Sequence, residues 1–159
     1  MFQTIYNYYY NIVNNMNPGE TIYYDFETTG LNPFHEKIIE YAFIRENDNT
    51  AISSLVNPLE KFPKFITDLT GIYPEELENK LPISEMIHEI TDFLMKKNTR
   101  VFLVAHNNDG FDKWFFRAAL QQYSNIGYKS FDYIDSLTLS KMLFPKLKSH
   151  SMKNLCKEF

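Results

Sequence analysis

Apolar residues at Ile5, Tyr8, Tyr9, Ile12, Val13 and Met16 recur at helical spacing, and Asn17-Pro18-Gly19 ends the pattern. Residues 1–19 therefore read as an N-terminal helix packing on the rest of the chain. The pattern then changes to strands. Thr21–Phe26 is the first, Thr28-Thr29-Gly30-Leu31-Asn32-Pro33 is a turn, and Lys37–Arg45 and Ala51–Val56 are two more strands joined by the polar turn 46–49. Three strands with short connections predict an antiparallel meander.

The second half alternates helices with strands. Residues 58–82 contain Pro58, Pro63, Pro74 and Pro82 and read as a surface crossover with short helical pieces. Ile83, Met86, Ile87, Ile90 and Leu94 mark a helix over Ile83–Met95, with Ser84 as a candidate cap. Val101–Ala105 is wholly apolar, as expected of a buried parallel strand. A helix over Phe111–Tyr123, a strand near Phe131–Ile134, a helix over Ser136–Leu143 and a last helix starting near Ser149 or Ser151 follow. This order predicts an α/β fold, a mixed sheet with helices on both faces.

Composition narrows the class. The chain has 159 residues, 44% of them hydrophobic and 23% charged, about one soluble domain. Its single cysteine, Cys156, forms no internal disulfide, which fits a reducing compartment. No apolar run approaches the ~18 residues of a membrane span, and the first basic residue is Lys37, so neither a signal nor a transit peptide is read. The expectation is an intracellular protein of cytoplasm or nucleus, not secreted and not bound to a membrane. Net charge is −4, but residues 1–109 carry eight basic and sixteen acidic groups, and residues 110–159 carry eight basic and four acidic. An acidic front and a basic back suit a metal site beside a phosphate-binding surface, or else a solvated lysine-rich helix face.

Two segments carry candidate chemistry. In Asp25-Phe26-Glu27 the carboxylates are two residues apart on a strand and share a face. Acids hemmed by Ile22 and Phe26 call for a cation, and a hard divalent ion takes such oxygen ligands; the alternative is a pair of surface acids. The run His106-Asn107-Asn108-Asp109-Gly110-Phe111-Asp112 follows the apolar strand, where open α/β sheets bind ligands. Asp112 then lies in the first turn of a helix, which favours an anion. Capping is the competing role for Asp112 and the preferred one for Asp109.

These segments, with their neighbours, resemble a family. Tyr24-Asp25-Phe26-Glu27-Thr28-Thr29-Gly30-Leu31, followed by Lys37-Ile38-Ile39-Glu40, resembles the first motif of the DEDDh (DnaQ-like) 3′–5′ exonucleases. Asp68-Leu69-Thr70-Gly71-Ile72 resembles their linking segment, and Val104-Ala105-His106-Asn107 with Phe111-Asp112 their second motif. The three residues between Asn107 and Phe111 are similar to the spacing of the three-prime repair exonucleases. Ile134-Asp135-Ser136-Leu137, then 144–149 and Leu155-Cys156, continue the likeness.

The resemblance implies a ribonuclease H-like five-stranded mixed sheet over residues 20–159. It also implies phosphodiester hydrolysis with two Mg²⁺ or Mn²⁺ ions roughly 4 Å apart. It gives Asp25, Glu27 and Asp112 as catalytic metal ligands, and Thr28, Thr29 and Leu31 as contacts to a 3′-terminal nucleotide, with Leu31 a wedge against the base. His106 and Asn107 would shape the loop carrying Asp112. The implied partners are 3′ ends of single-stranded DNA or RNA, with homodimerisation possible. The family's third motif, a histidine with an aspartate five residues later, would follow the segment matched by Leu155-Cys156 and is absent from these 159 residues. His150 does not replace it, since Leu155 stands five residues on, and Asp132 and Asp135 are expected to be turn and capping groups. On this reading the exonuclease domain is C-terminally incomplete. The alternative function is an impaired or truncated exonuclease-fold module that binds nucleic acid or a partner without turnover. A proofreading domain of a polymerase assembly is disfavoured by the length of the 107–111 loop.

Overall fold

Strand β1 (Glu20–Thr28) buries Ile22, Tyr24, Phe26 and Thr28 and turns Tyr23, Asp25 and Glu27 the other way, the alternation of a strand with one core face. The computed structural model describes residues 19–97 and 99–159. The helix expected over residues 1–19 falls outside them but for Gly19. β2 (Ile38–Arg45) and β3 (Ala51–Leu55) complete the antiparallel meander. β4 (Val101–Ala105) and β5 (Asp132–Asp135) then add in parallel, giving the order β3-β2-β1-β4-β5. The mixed α/β sheet expected from the sequence is present, with strand ends within two residues of their expected places.

The crossover folds as α1 (Lys64–Thr70) and α2 (Pro74–Leu77), and Ile66, Ile72 and Leu77 pack on Ile39 of β2. Gly71 ends α1 at φ 77°, a left-handed backbone that a side chain disfavours, and donates its N–H to Thr67 O at 2.8 Å. Next come α3 (Ile83–Met95), α4 (Asp112–Tyr123), a 3₁₀ turn at Tyr128–Ser130, α5 (Ser136–Leu143) and α6 (Met152–Glu158). Pro82, not Ser84, occupies the cap of α3 and makes no side-chain cap bond. Its fixed φ suits a helix start without a hydroxyl.

The core joins β1 and β2 to α3 and α4. Tyr24 and Phe43 stack at 5.4 Å across the β1–β2 ladder, and Phe116 of α4 closes on Tyr24, Phe26 and Phe43 at 5.7–6.1 Å. Each such ring contributes roughly 1.5–3 kcal/mol by leaving water. The opposite face is only partly covered, because Tyr23, Asp25 and Ile44 stay exposed. The sheet is flanked by helices as expected, and this exposed stretch leaves open the side on which the acids lie. At the start of β1, buried Glu20 pairs with buried Arg45 and, at 2.7 Å, with Lys97. Arg45 also donates to Phe93 O at 2.5 Å and lies 4.6 Å from the Phe93 ring centre, which fastens the end of α3 to the sheet. Among the described residues no helix is long and apolar enough to cross a membrane.

Candidate active site

Strand β1 outruns its parallel neighbour. β4 pairs with it from Glu20↔Val101 to Tyr23↔Val104 and stops, while β1 continues to Thr28 against β2 alone. Asp25 and Glu27 both lie on this overhang. The amide of Phe26, between them, points to the side that β4 has vacated, and Asp112 Oδ1 accepts its N–H at 3.1 Å. Asp112 is the first residue of α4 and is 2% exposed. Asp25, Glu27 and Asp112, distant in sequence, are thus brought to one strand end.

The loop that delivers Asp112 is held from beneath. Asn107 takes a left-handed φ of 66°, and Asp135 accepts the N–H groups of Asn107 (3.1 Å) and Asp109 (3.0 Å). The same Asp135 caps α5 through Leu137 N–H (2.8 Å) and Thr138 N–H (3.3 Å). Burial would raise its pKa, yet these four amides hold it below the ordinary carboxylate range. Asn108 is fully buried. It accepts the Tyr24 hydroxyl at 2.5 Å and donates to Ile134 O (2.9 Å) and Leu103 O (3.3 Å), pinning the ends of β4 and β5 to the core of β1. Sequence reasoning missed Asn108 as a support, because one buried amide inside a polar run leaves no periodic trace.

Among the described residues Asp25, Glu27 and Asp112 are crowded with no cationic side chain paired to them. Burial, then the charges of Asp25 and Glu27, push Asp112 up to about 7 against the opposing hydrogen bond from Phe26. Burial raises Asp25, and burial, Asp25 and Glu40 raise Glu27. Glu40 stands directly across the ladder from Glu27, where the register slips before Thr28 meets Ile38. Like charges at opposed positions are destabilising. The donor set is oxygen only, which fits a hard divalent cation, and a cation there would relieve every one of these repulsions. Among the described residues no three His, Cys, Asp or Glu side chains close into a ready ligand shell.

The other expected contacts divide into two kinds. Thr28 and Thr29 are buried, and their hydroxyls serve the turn itself: Thr28 donates to Gly30 O (2.6 Å), while Thr29 donates to Glu36 (2.7 Å) and accepts Lys37 N–H (2.9 Å). Both hydroxyl protons are thus committed to the turn. Leu31, by contrast, is 84% exposed. His106 is half-buried against the Ser136 hydroxyl at 3.1 Å, and His150 meets Ser140 at 3.1 Å. Asp109 does not cap α4, whose cap position is Phe111, but pairs with Lys113 at 2.8 Å. Asp132 pairs with Arg100 at 2.5 Å, away from the acids of β1 as expected.

The family model described as Exonuclease (RNase_T) matches residues 22–159. The chain belongs to this exonuclease family. Its sequence is similar to DNA polymerase III PolC-type of Halalkalibacterium halodurans, 32% identical over 89% of the chain and 10% of that protein. The PolC-type polymerase III of Thermotoga petrophila is 34% identical over 82% of the chain and 9% of that protein. This exonuclease domain thus spans about a tenth of the length of these relatives. In structure it resembles exonuclease I, with a TM-score of 0.73 at 18% identity over 87% of the chain and 35% of the other. The zinc-ion-bound E. coli exonuclease I–ssDNA complex matches equally well, at 0.73 and 18% over 87% of the chain and 34% of the other. The 107–111 spacing reads as closer to the repair exonucleases, whereas the relatives named here are polymerases that match 82–89% of the chain.

Proposed function

We propose that this exonuclease domain removes nucleotides from the 3′ end of single-stranded nucleic acid, DNA foremost, using two divalent cations, Mg²⁺ or Mn²⁺, held by Asp25, Glu27 and Asp112. The observation that carries the proposal is the meeting of Asp112 with the strand overhang at Phe26 N–H. It sets three mutually repelling carboxylates at a solvent-open strand end, with no cationic side chain among the causes that shift them.

Asp25 is the acid whose charge raises both of the others, and it would be the central ligand of the cations. Glu27 and Asp112 flank it. Cations bound there supply neutralisation of the scissile phosphate and a water more easily deprotonated near neutral pH. The turn 28–31 offers backbone groups to the terminal nucleotide, because both threonine hydroxyl protons already serve the turn. Exposed Leu31 supplies an apolar face for the terminal base. DNA is favoured over RNA by the polymerase III relatives and by neighbours solved with single-stranded DNA.

A 5′-labelled single strand tests polarity: with Mn²⁺ it should shorten one nucleotide at a time from its 3′ end, and Asp25→Ala should abolish this. Cuts in a circular single strand, or shortening that survives Asp25→Ala, would overturn the proposal.

A further inference from the structure

One stripe of α4 faces outward: Trp114, Arg117, Ala118 and Gln121, at i, i+3, i+4 and i+7. Phe34, on the turn between β1 and β2, stands against this stripe although it is 80% exposed. Together they enclose a groove of about 120 Å³, and a second recess of about 60 Å³ extends it past Phe34 and Ala118 toward Gln122. Both walls come from elements that also carry residues of the candidate site. Trp114 follows Asp112 by two residues, and Phe34 follows Leu31 by three.

The chemistry of the walls is specific. The Trp114 indole N–H donates to Asp109 O at 2.8 Å, which fixes the ring by its edge while the residue stays 37% exposed. The Arg117 guanidinium lies 5.4 Å from the Trp114 ring centre and 4.1 Å from that of Tyr128. No carboxylate among the described residues lies within ion-pair distance of it. An exposed Phe34, a partly exposed Trp114 and a cation with no carboxylate partner among the described residues match what a single strand needs. Bases of any identity stack on aromatic rings, and arginine meets the backbone charge.

Building on the proposed function, we infer that this groove holds the nucleotides that precede the terminal one. A base stacks on Trp114, Phe34 closes the other side, and Arg117 meets the adjoining phosphate. The groove makes the domain read the length of a single strand, since a mononucleotide fills the turn at 28–31 and never reaches α4.

Trp114 is the sole tryptophan of the chain, so its fluorescence reports the groove directly. The titration uses Asp25→Asn protein with Mn²⁺, to keep ends intact, and compares thymidine 5′-monophosphate with (dT)2, (dT)4 and (dT)8. Quenching should be absent with the mononucleotide and should grow with length. Phe34→Ala should weaken (dT)4 binding about tenfold, the usual size for one stacked base, and leave the mononucleotide unaffected. Arg117→Gln should reduce the salt slope of (dT)8 binding by about one. Melting curves of the variants confirm folding, and the quenching itself needs no substitution in the groove. Quenching by the mononucleotide equal to that by (dT)8 would overturn the inference. So would (dT)8 binding, seen by anisotropy, without any change at Trp114; in that case the proposed function would stand. Failure of (dT)8 to bind at all would overturn both.

Discussion

Asp112 Oδ1 accepts the backbone N–H of Phe26 at 3.1 Å. The bond ties the first residue of α4 to the strand position flanked by Asp25 and Glu27, and it forms because the pairing of β4 with β1 ends at Tyr23. A longer β4 would have taken that amide into its own ladder, leaving Asp112 no reason to enter. The site therefore depends on the length of a neighbouring strand as much as on its own acids.

A first prediction concerns pH without divalent ions. Asp112 is raised from 3.8 to about 7, so the folded state holds its proton more tightly than the unfolded chain does. Its contribution is present below the ordinary carboxylate value and is lost as pH rises toward 7. Urea melts in EDTA should show stability falling between about pH 4 and about pH 7, and Asp112→Asn should flatten that slope. A slope unchanged by the substitution would contradict the assignment.

Divalent cations should reverse this loss. Mn²⁺ at about a hundred times its dissociation constant should add roughly 2.7 kcal/mol at neutral pH. Thermal melts check it. The gain should be largely gone in Asp25→Asn and in Asp112→Asn, and retained in Asp132→Asn, whose carboxylate pairs with Arg100.

The Tyr24–Asn108 bond joins β1 to the loop before α4. Tyr24→Phe should cost about 1–3 kcal/mol, because a buried amide oxygen loses its donor. Asn108→Leu should cost more than Asn108→Ala does in a Tyr24→Phe background, a comparison that denaturant melts resolve. Turnover should fall in each variant, since the loop positions Asp112.

Asp135 is held below the usual carboxylate range by backbone amides that outweigh its burial. Its contribution has the opposite sign to that of Asp112: present above the ordinary carboxylate pKa and lost as pH falls through the depressed value. Asp135→Ala should cost about 2 kcal/mol or more at neutral pH, a helix cap plus two loop bonds. Amide exchange of Asn107 and Asp109 should accelerate with it.

Glu20 and Arg45 form a buried pair at the far end of β1. Glu20→Ala should destabilise by about 3–5 kcal/mol, because Arg45 would keep a buried charge without its partner. The substitution should leave cation-induced stabilisation intact, and chemical melts with and without Mn²⁺ separate the two effects.

Alternation along β1 was enough, by itself, to place Asp25 and Glu27 on one face, since the strand period of two acts between near neighbours. Helical spacing likewise delimited α3 at Ile83–Met95, and Asp135, expected with Asp132 to be a turn or capping group, caps α5. Where two start signals stood side by side, as at Pro82 and Ser84, local pattern chose wrongly because proline sets the same backbone without a hydroxyl. Tertiary structure decided the rest. Asp112 meets Phe26 across 86 residues and Asn108 meets Tyr24 across 84; Glu40 comes opposite Glu27 by strand register. Periodicity fixes the direction in which a side chain points. What it meets depends on which strands pair, in what register, and where each one stops, and those are settled only when distant segments bury their apolar faces together.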